Sequence, residues 1–195
     1  ALGFTNMLTK VLREESPDFA AVTFDPRGGS FRNRLYPEYK ANRKNKPKPM
    51  LFSPLREWTK TAYDSWEFPN LEADDVMGIL AKSHTVAAPK IVVSADHDME
   101  GVPCNLYKPG GSRNRVRTIT YKEAKRYHLY QTLTGDSGDN YPGLPGVGPK
   151  RAEGILQENI WEEDLLVQLK RISRKRTCSC SSREHLGRGL ARAAQ

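Results

Sequence analysis

Apolar positions recur every three to four residues through Leu2, Phe4, Met7, Leu8, Val11 and Leu12, so residues 2–15 predict an amphipathic helix. Pro17-Asp18 breaks it. The run Phe19-Ala-Ala-Val-Thr-Phe24 predicts a buried strand that ends at Asp25. Pro26-Arg-Gly-Gly-Ser30 reads as a turn, and the stretch behind it is expected to be partly helical over residues 37–43. Residues 53–65 predict a helix with Ser53 as N-cap and Pro54 in its first turn. Another helix opens at Asn70 or Leu71, where Val76, Ile79 and Leu80 follow an acidic cluster. Residues 90–96 repeat the buried-strand pattern, again with carboxylates at the C-terminal end, and residues 105–108 and 115–119 predict two more strands across Gly110-Gly111. Residues 121–134 read as a helix, 135–148 as a Gly/Pro-punctuated stretch, and Pro149 to about Gln157 as a last helix. Strands alternating with helices predict an α/β fold with a mainly parallel sheet. The expected organisation is a core over residues 1–134, a second region over 135–170 and a tail over 171–195. That tail loses apolar periodicity and reads as disordered.

Charge changes the picture through its distribution. The 195 residues carry 31 Lys+Arg against 23 Asp+Glu. Residues 170–195 hold eight basic side chains against Glu184 alone, and residues 27–48 hold eight against Glu38 alone. The rest of the chain is therefore net acidic. A basic strip beside an acidic cluster suits a protein that holds a polyanion and coordinates metal next to it. No apolar run approaches the roughly 20 residues needed to cross a bilayer, and the first residues lack the pattern of a secretory signal. Cys104, Cys178 and Cys180 cannot make a disulfide framework, so a reducing compartment is expected. Cys178, Cys180 and His185 offer three soft ligands, one short of a closed zinc site.

Four acidic groups stand at predicted element ends: Asp25; Glu72, Asp74 and Asp75; Asp96 and Asp98; Asp136 and Asp139. In an open α/β sheet the ligand crevice lies beyond the C-terminal strand ends, where Asp25, Asp96 and Asp98 are expected. Taken singly, each acid also suits a helix cap or a turn. Eight carboxylates drawn together could not all stay ionised unaided. Divalent cations would resolve the repulsion, and oxygen ligands without His or Cys point to Mg²⁺ or Mn²⁺. In the basic strip, Tyr36, Tyr39, Lys40 and Arg43 interleave rings with cations, a pattern that can stack on bases and neutralise phosphates. Gly143-Leu-Pro-Gly-Val-Gly148-Pro-Lys150 alternates glycine with apolar residues before a helix, so its backbone N–H groups and Lys150 could approach a phosphate closely.

These motifs resemble the 5′-nuclease (flap endonuclease) family. Phe24-Asp-Pro-Arg-Gly-Gly-Ser-Phe-Arg32, Leu35-Tyr-Pro-Glu-Tyr-Lys-Ala-Asn-Arg43, Leu71-Glu-Ala-Asp-Asp75 and Ser94-Ala-Asp-His-Asp-Met99 look like the nuclease domain attached to bacterial DNA polymerase I. So does Gly135-Asp-Ser-Gly-Asp-Asn-Tyr-Pro-Gly143 with the glycine turn after it. The segment between Met99 and Tyr127 is more similar to free-standing phage 5′→3′ exonucleases. The resemblance implies a PIN-like fold with a helix–hairpin–helix element. It also implies metal-dependent cleavage of DNA near 5′ ends, flaps or RNA–DNA hybrids in replication or repair. Asp25, Glu72, Asp74, Asp75, Asp96, Asp98, Asp136 and Asp139 would be ligands of two Mg²⁺ or Mn²⁺ ions, directly or through water. Lys40 and Arg43 would steady the scissile phosphate. Arg27, Arg32, Tyr36, Tyr39, Lys40 and Arg43 would contact DNA, as would Gly143, Gly146, Gly148 and Lys150, the glycines around a K⁺ ion. The family setting is the cytoplasm of a bacterial or phage-infected cell. Family members open with a strand ending in Asp-Gly, so the chain is expected to lack that strand. Its C-terminal stretch from Ile172 resembles a change of reading frame. The alternative is a catalytically inactive DNA-binding fragment; a phosphatase or ribonuclease of the wider PIN group would leave the glycine turn unexplained.

Overall fold

In the computed structural model, which describes residues 2–43, 47–110 and 116–158, the first helical pattern becomes α1 (Leu2–Glu15) with Val11 buried. Ser16 ends it in a left-handed backbone conformation (φ 42°), its N–H still bonded to the Leu12 carbonyl. The predicted buried strand over 19–24 is shorter and less buried than expected. Only Ala21–Thr23 forms β1, with half-buried residues, and Phe19 is exposed outside it. Its partner is β2 (Asp64–Trp66), paired in parallel. That strand overlaps the end of the stretch predicted as helix, because Asp64-Ser65-Trp66 has no apolar alternation to announce it.

The basic strip departs from expectation too. Helix α2 (Phe31–Leu35) precedes Pro37, and only a 3₁₀ turn, Ala41–Arg43, covers the end of the predicted helix. Lys40 between them is left-handed (φ 54°), which stops helix propagation. Helix α3 (Phe52–Ala62) starts before Ser53, so Leu51 rather than Ser53 is its cap. Pro54 is tolerated because the first-turn N–H groups lack intrahelical partners in any case. Helix α4 (Ala73–Lys82) has Glu72 as N-cap, not Asn70 or Leu71, since Asn70 is left-handed (φ 65°).

The second strand group is β3 (Ile91–Val93), β4 (Cys104–Tyr107) and β5 (Arg117–Ile119), with β3–β4 parallel and β4–β5 antiparallel. A 3₁₀ turn, His97–Gly101, follows β3. The parallel pairings thus stand in two small sheets rather than one, and α4 packs against both β1 and β3. Val92, Met99, Leu106, Ile119 and Ala124 form the core there, with Met77 and Ala81 of α4 against it. Burial of each of the Val, Met, Leu and Ile side chains contributes on the order of 2 kcal/mol.

Helix α5 (Tyr121–Thr134) contains the boundary between two compact units. Among the described residues, the first holds those up to Ala124 together with Gly138–Asn140; the second holds Lys125–Ser137 and Tyr141–Glu158. In the second unit β6 (Gly135–Asp136) pairs antiparallel with β7 (Tyr141–Pro142), and α6 (Pro149–Glu158) follows a loop. Leu133, Val147, Ala152, Ile155 and Leu156 make its own core. Gly135 and Gly143 are required by close backbone approach, since a Cβ on Gly143 would sit 2.2 Å from the Thr134 carbonyl carbon. The expected tail, Cys178, Cys180 and His185, and Arg115 of the expected last strand, lie outside the described residues. Among the described residues no helix is long and apolar enough to cross a membrane.

Candidate active site

Seven of the eight candidate acids belong to the first unit. Glu72, at the N-cap of α4, is 9% exposed and accepts three hydrogen bonds from side chains. Ser30 Oγ donates to its Oε1 (2.9 Å), while Tyr39 OH (2.7 Å) and Lys40 Nζ (2.9 Å) reach Oε2. Burial works against the Glu72 charge, but Tyr39, Lys40 and Ser30 together hold its pKa below the ordinary value. Three positions on, Asp75 receives both Arg32 guanidinium nitrogens at 2.7 Å and also accepts from the Glu72 N–H. Burial opposes its charge as well, and the Arg32 fork outweighs it, so its pKa is lowered. The Asp75 contact raises that of Arg32 in turn.

Asp139 is 7% exposed. Its Oδ1 pairs with Arg43 Nη2 at 2.7 Å, and its Oδ2 lies 3.0 Å from Tyr39 OH and 3.8 Å from Lys40 Nζ. Residues 138–140 are strapped to the basic strip by bonds onto main-chain carbonyls: Lys40 N–H to Asp139, Arg43 Nε to Gly138, Asn140 Nδ2 to Glu38 and Tyr36 OH to Asn140. The left-handed backbone of Lys40 lets its N–H reach Asp139 while its ammonium reaches Glu72. Backbone strain of this kind is held in place only where surrounding contacts over-determine it.

The remaining acids of this unit meet like charge. Asp25, exposed at the end of β1, accepts the Ala73 N–H on Oδ1 (2.9 Å). Asp96 accepts the Asp98 N–H (3.0 Å) after β3. Asp74 lies among them, and burial followed by the Asp96, Asp25 and Asp98 charges pushes its pKa up to about 6. Carboxylate oxygens of Asp98 and Asp139 come within 4.8 Å of one another. An all-carboxylate donor set carrying such repulsion fits hard divalent cations.

Tyr39 is a correction to the sequence reading. At 2% exposure its ring presents no face for a base, and its hydroxyl instead stands between the Glu72 and Asp139 carboxylates. Burial and the Glu72 contact raise its pKa. Arg32 is occupied by Asp75, and Arg27 is exposed but paired with Glu57 at 2.5 Å. Sequence reasoning missed Ser30, whose buried hydroxyl was legible only as a turn residue. Asp136 belongs to the second unit, where its backbone pairs with Tyr141. There Gly146 is left-handed (φ 71°), Gly148 has open space where a side chain would stand, and Lys150 is exposed in the first turn of α6.

The family model described as the 5′-3′ exonuclease N-terminal resolvase-like domain matches residues 1–125. DNA polymerase I of Rhizobium leguminosarum is 34% identical over 197 aligned positions, covering 90% of this chain and 19% of that protein. DNA polymerase I of Caldicellulosiruptor bescii is 32% identical, covering 87% of this chain and 22% of its own length. The chain thus spans about a fifth of the curated relatives it matches. Among solved structures, a T5 5′-exonuclease with bound zinc superposes with a TM-score of 0.67 at 21% identity, covering 86% of this chain and 70% of that one. A bacteriophage T5 flap endonuclease in complex with DNA and metal ions gives 0.66 at 20% identity, with the same coverage. The catalytic core of Rad2 bound to DNA gives 0.57 at 17%, covering all of this chain and 64% of that one. These likenesses establish the PIN-like α/β fold.

Proposed function

The chain belongs to the 5′-3′ exonuclease family of N-terminal resolvase-like domains, and from that premise we propose that it hydrolyses phosphodiester bonds near 5′ ends of DNA, at flaps and duplex ends and in RNA–DNA hybrids. The observation that carries the reading is the carboxylate group around Asp74, whose repulsion calls for divalent cations. Asp25, Asp74, Asp96 and Asp98, with Glu72, Asp75 and Asp139 beside them, would hold two Mg²⁺ or Mn²⁺ ions. The assignment of Asp136 rests on the family resemblance. Such ions, when bound, lower the pKa of a water nucleophile and offset charge on the leaving oxygen.

The chain's own residues supply the rest. Lys40 and Arg43 stand beside the acids and can turn their charge toward a phosphate, in a setting where cations offset developing negative charge. Tyr39 and Ser30 fix Glu72 in place, and Arg32 does the same for Asp75. In the second unit Gly143, Gly146, Gly148 and Lys150 would grip duplex backbone as a helix–hairpin–helix element around K⁺, without reading bases. The alternative of an inactive DNA-binding fragment is not favoured, because every one of the eight acids is retained.

The test is cleavage of a 5′-labelled flap duplex by the full chain, with Mg²⁺ or Mn²⁺ against EDTA, beside an Asp96→Ala/Asp98→Ala variant. Cutting near the junction should require the cation and fall by about 10³-fold or more in the variant. Binding of the duplex without cutting would overturn the enzyme reading. Cutting that persists in EDTA would overturn the metal.

A further inference from the structure

Helix α3 clasps the loop that follows β1. Arg56 Nη2 donates to the Asp25 carbonyl at 2.8 Å and pairs with Glu67 Oε1 at 2.7 Å. Its guanidinium carbon lies 4.8 Å from the centre of the Phe24 ring, and the side chain is only 9% exposed. Lys60, one turn on, pairs with the other Glu67 oxygen at 2.6 Å and also faces the Phe24 ring. Glu57 holds Arg27, two residues past Asp25. Phe24 N–H is bonded to the Trp66 carbonyl, which brings the residue before Asp25 and the residue before Glu67 side by side.

This arrangement is not what a solvated surface arginine does. The side chain is largely covered, and its Nε is out of reach of solvent with no hydrogen-bond partner among the described residues. Covering a cation with one donor unmet opposes folding, and the Asp25 carbonyl, the Glu67 carboxylate and the Phe24 ring work against that opposition. What the burial achieves is geometric. Both contacts are made by Nη2, whose two N–H bonds are fixed in the guanidinium plane. This one nitrogen therefore bridges a main-chain oxygen and a carboxylate in a set orientation, whereas a lysine ammonium rotates freely on its stem. The bridged main-chain oxygen belongs to Asp25, whose carboxylate is held at its other end by the Ala73 N–H of α4.

We infer that Arg56 is a positioning residue: by tying the Asp25 carbonyl to Glu67 it sets the placement of the Asp25 carboxylate, and so the affinity of the acidic site for its cation. The inference rests on the proposed metal-dependent reading of that site. Residues one shell removed from a metal typically change its affinity by about 10–100-fold when altered.

The experiment compares the full chain with Arg56→Lys and Arg56→Met, reading Mn²⁺ binding from the loss of the free-ion electron paramagnetic resonance signal. Flap cleavage is measured in parallel across Mn²⁺ concentrations. Both variants should weaken Mn²⁺ binding by about 10-fold or more, and the Mn²⁺ needed for half-maximal cleavage should rise by the same factor. The KM for the flap duplex should move by less than about twofold, because Arg56 does not touch the substrate. Arg56→Lys keeps a cation for Glu67, so it tests the fixed orientation of the bridging nitrogen in a folded protein should Arg56→Met unfold. Unchanged Mn²⁺ affinity in Arg56→Lys, or in a folded Arg56→Met, overturns the inference. A wild-type chain that binds Mn²⁺ but leaves the flap uncut sinks the nuclease reading, while the binding comparison still decides the role of Arg56. A wild-type chain that binds no Mn²⁺ at millimolar concentration overturns both.

Discussion

Two groups of carboxylates in the first unit are handled in opposite ways. Glu72, Asp75 and Asp139 each meet a cation, from Lys40, Arg32 and Arg43 respectively. Asp74 meets the carboxylates of Asp96, Asp25 and Asp98. The motif Leu71-Glu-Ala-Asp-Asp75 serves both groups at once, because Glu72 and Asp75 are three residues apart and share a face, whereas Asp74 is turned away from it. The first group is built into the fold: each of its acids is met by a cation that the fold delivers to it, partly covered in Lys40 and Arg32 and more exposed in Arg43. The second is repulsive as it stands, and the fold tolerates that repulsion. Acids crowded into one motif therefore need not share one task, and a like-charge cluster that persists beside a fully paired one is where an external cation is called for.

The sharpest way to break the comparison is to remove one acid from each group. Glu72→Ala strands the buried Ser30 hydroxyl and takes from the Tyr39 hydroxyl and the Lys40 ammonium their shortest carboxylate contact, leaving both to Asp139. It should cost about 3 kcal/mol of stability, read from the urea midpoint at neutral pH. Asp96→Ala removes an exposed acid from the repulsive group and should move the same midpoint by no more than about 0.5 kcal/mol. Equal losses in the two variants would dissolve the distinction. A smaller effect comes from Tyr39→Phe, which leaves Lys40 on Glu72 and Arg43 on Asp139 but removes the hydroxyl between the two carboxylates. A loss of about 1–2 kcal/mol is expected, in the range for a hydrogen bond to a charged group.

Much of this was legible in the sequence, for identifiable reasons. Helix α1 follows from apolar periodicity, and α5 and α6 are set off by the Gly/Pro punctuation around them, all local signals. The acids were legible by their positions at element ends, since Asp25 does follow β1 and Asp96 does follow β3. Two things were not legible. Strand β2 has no pattern of its own and exists because β1 offers it a parallel partner over three residues. The burial of Tyr39 is likewise a tertiary fact. An aromatic among lysines and arginines reads as a base-stacking ring, and its burial depends on partners distant in sequence, Glu72 and Asp139 among them. The sequence also left the sign of each acid's environment open, because pairing depends on which cations fold back, and Arg32 and Arg43 come from outside the acidic motifs.

The finest test turns on pH. Asp74 titrates at about 6 in the folded chain against an ordinary value of 3.8. The folded state therefore binds this proton more tightly than the unfolded state does, and the protein gives up stability as pH rises from about 4 through about 6. At full weight that shift corresponds to about 3 kcal/mol, and partial solvent access brings the expected effect to about 1 kcal/mol. In EDTA, Asp74→Asn should be the more stable protein above pH 7, with the advantage shrinking as pH falls and gone below about pH 4. Denaturant midpoints collected from pH 4 to 8 read this directly. Adding Mn²⁺ should reverse the order, since the wild-type carboxylate then gains a partner that the amide binds poorly. A variant that stays ahead of the wild type in saturating Mn²⁺ would mean that Asp74 repels its neighbours without serving a cation. The second group of carboxylates would then be a cost of the fold rather than its working site.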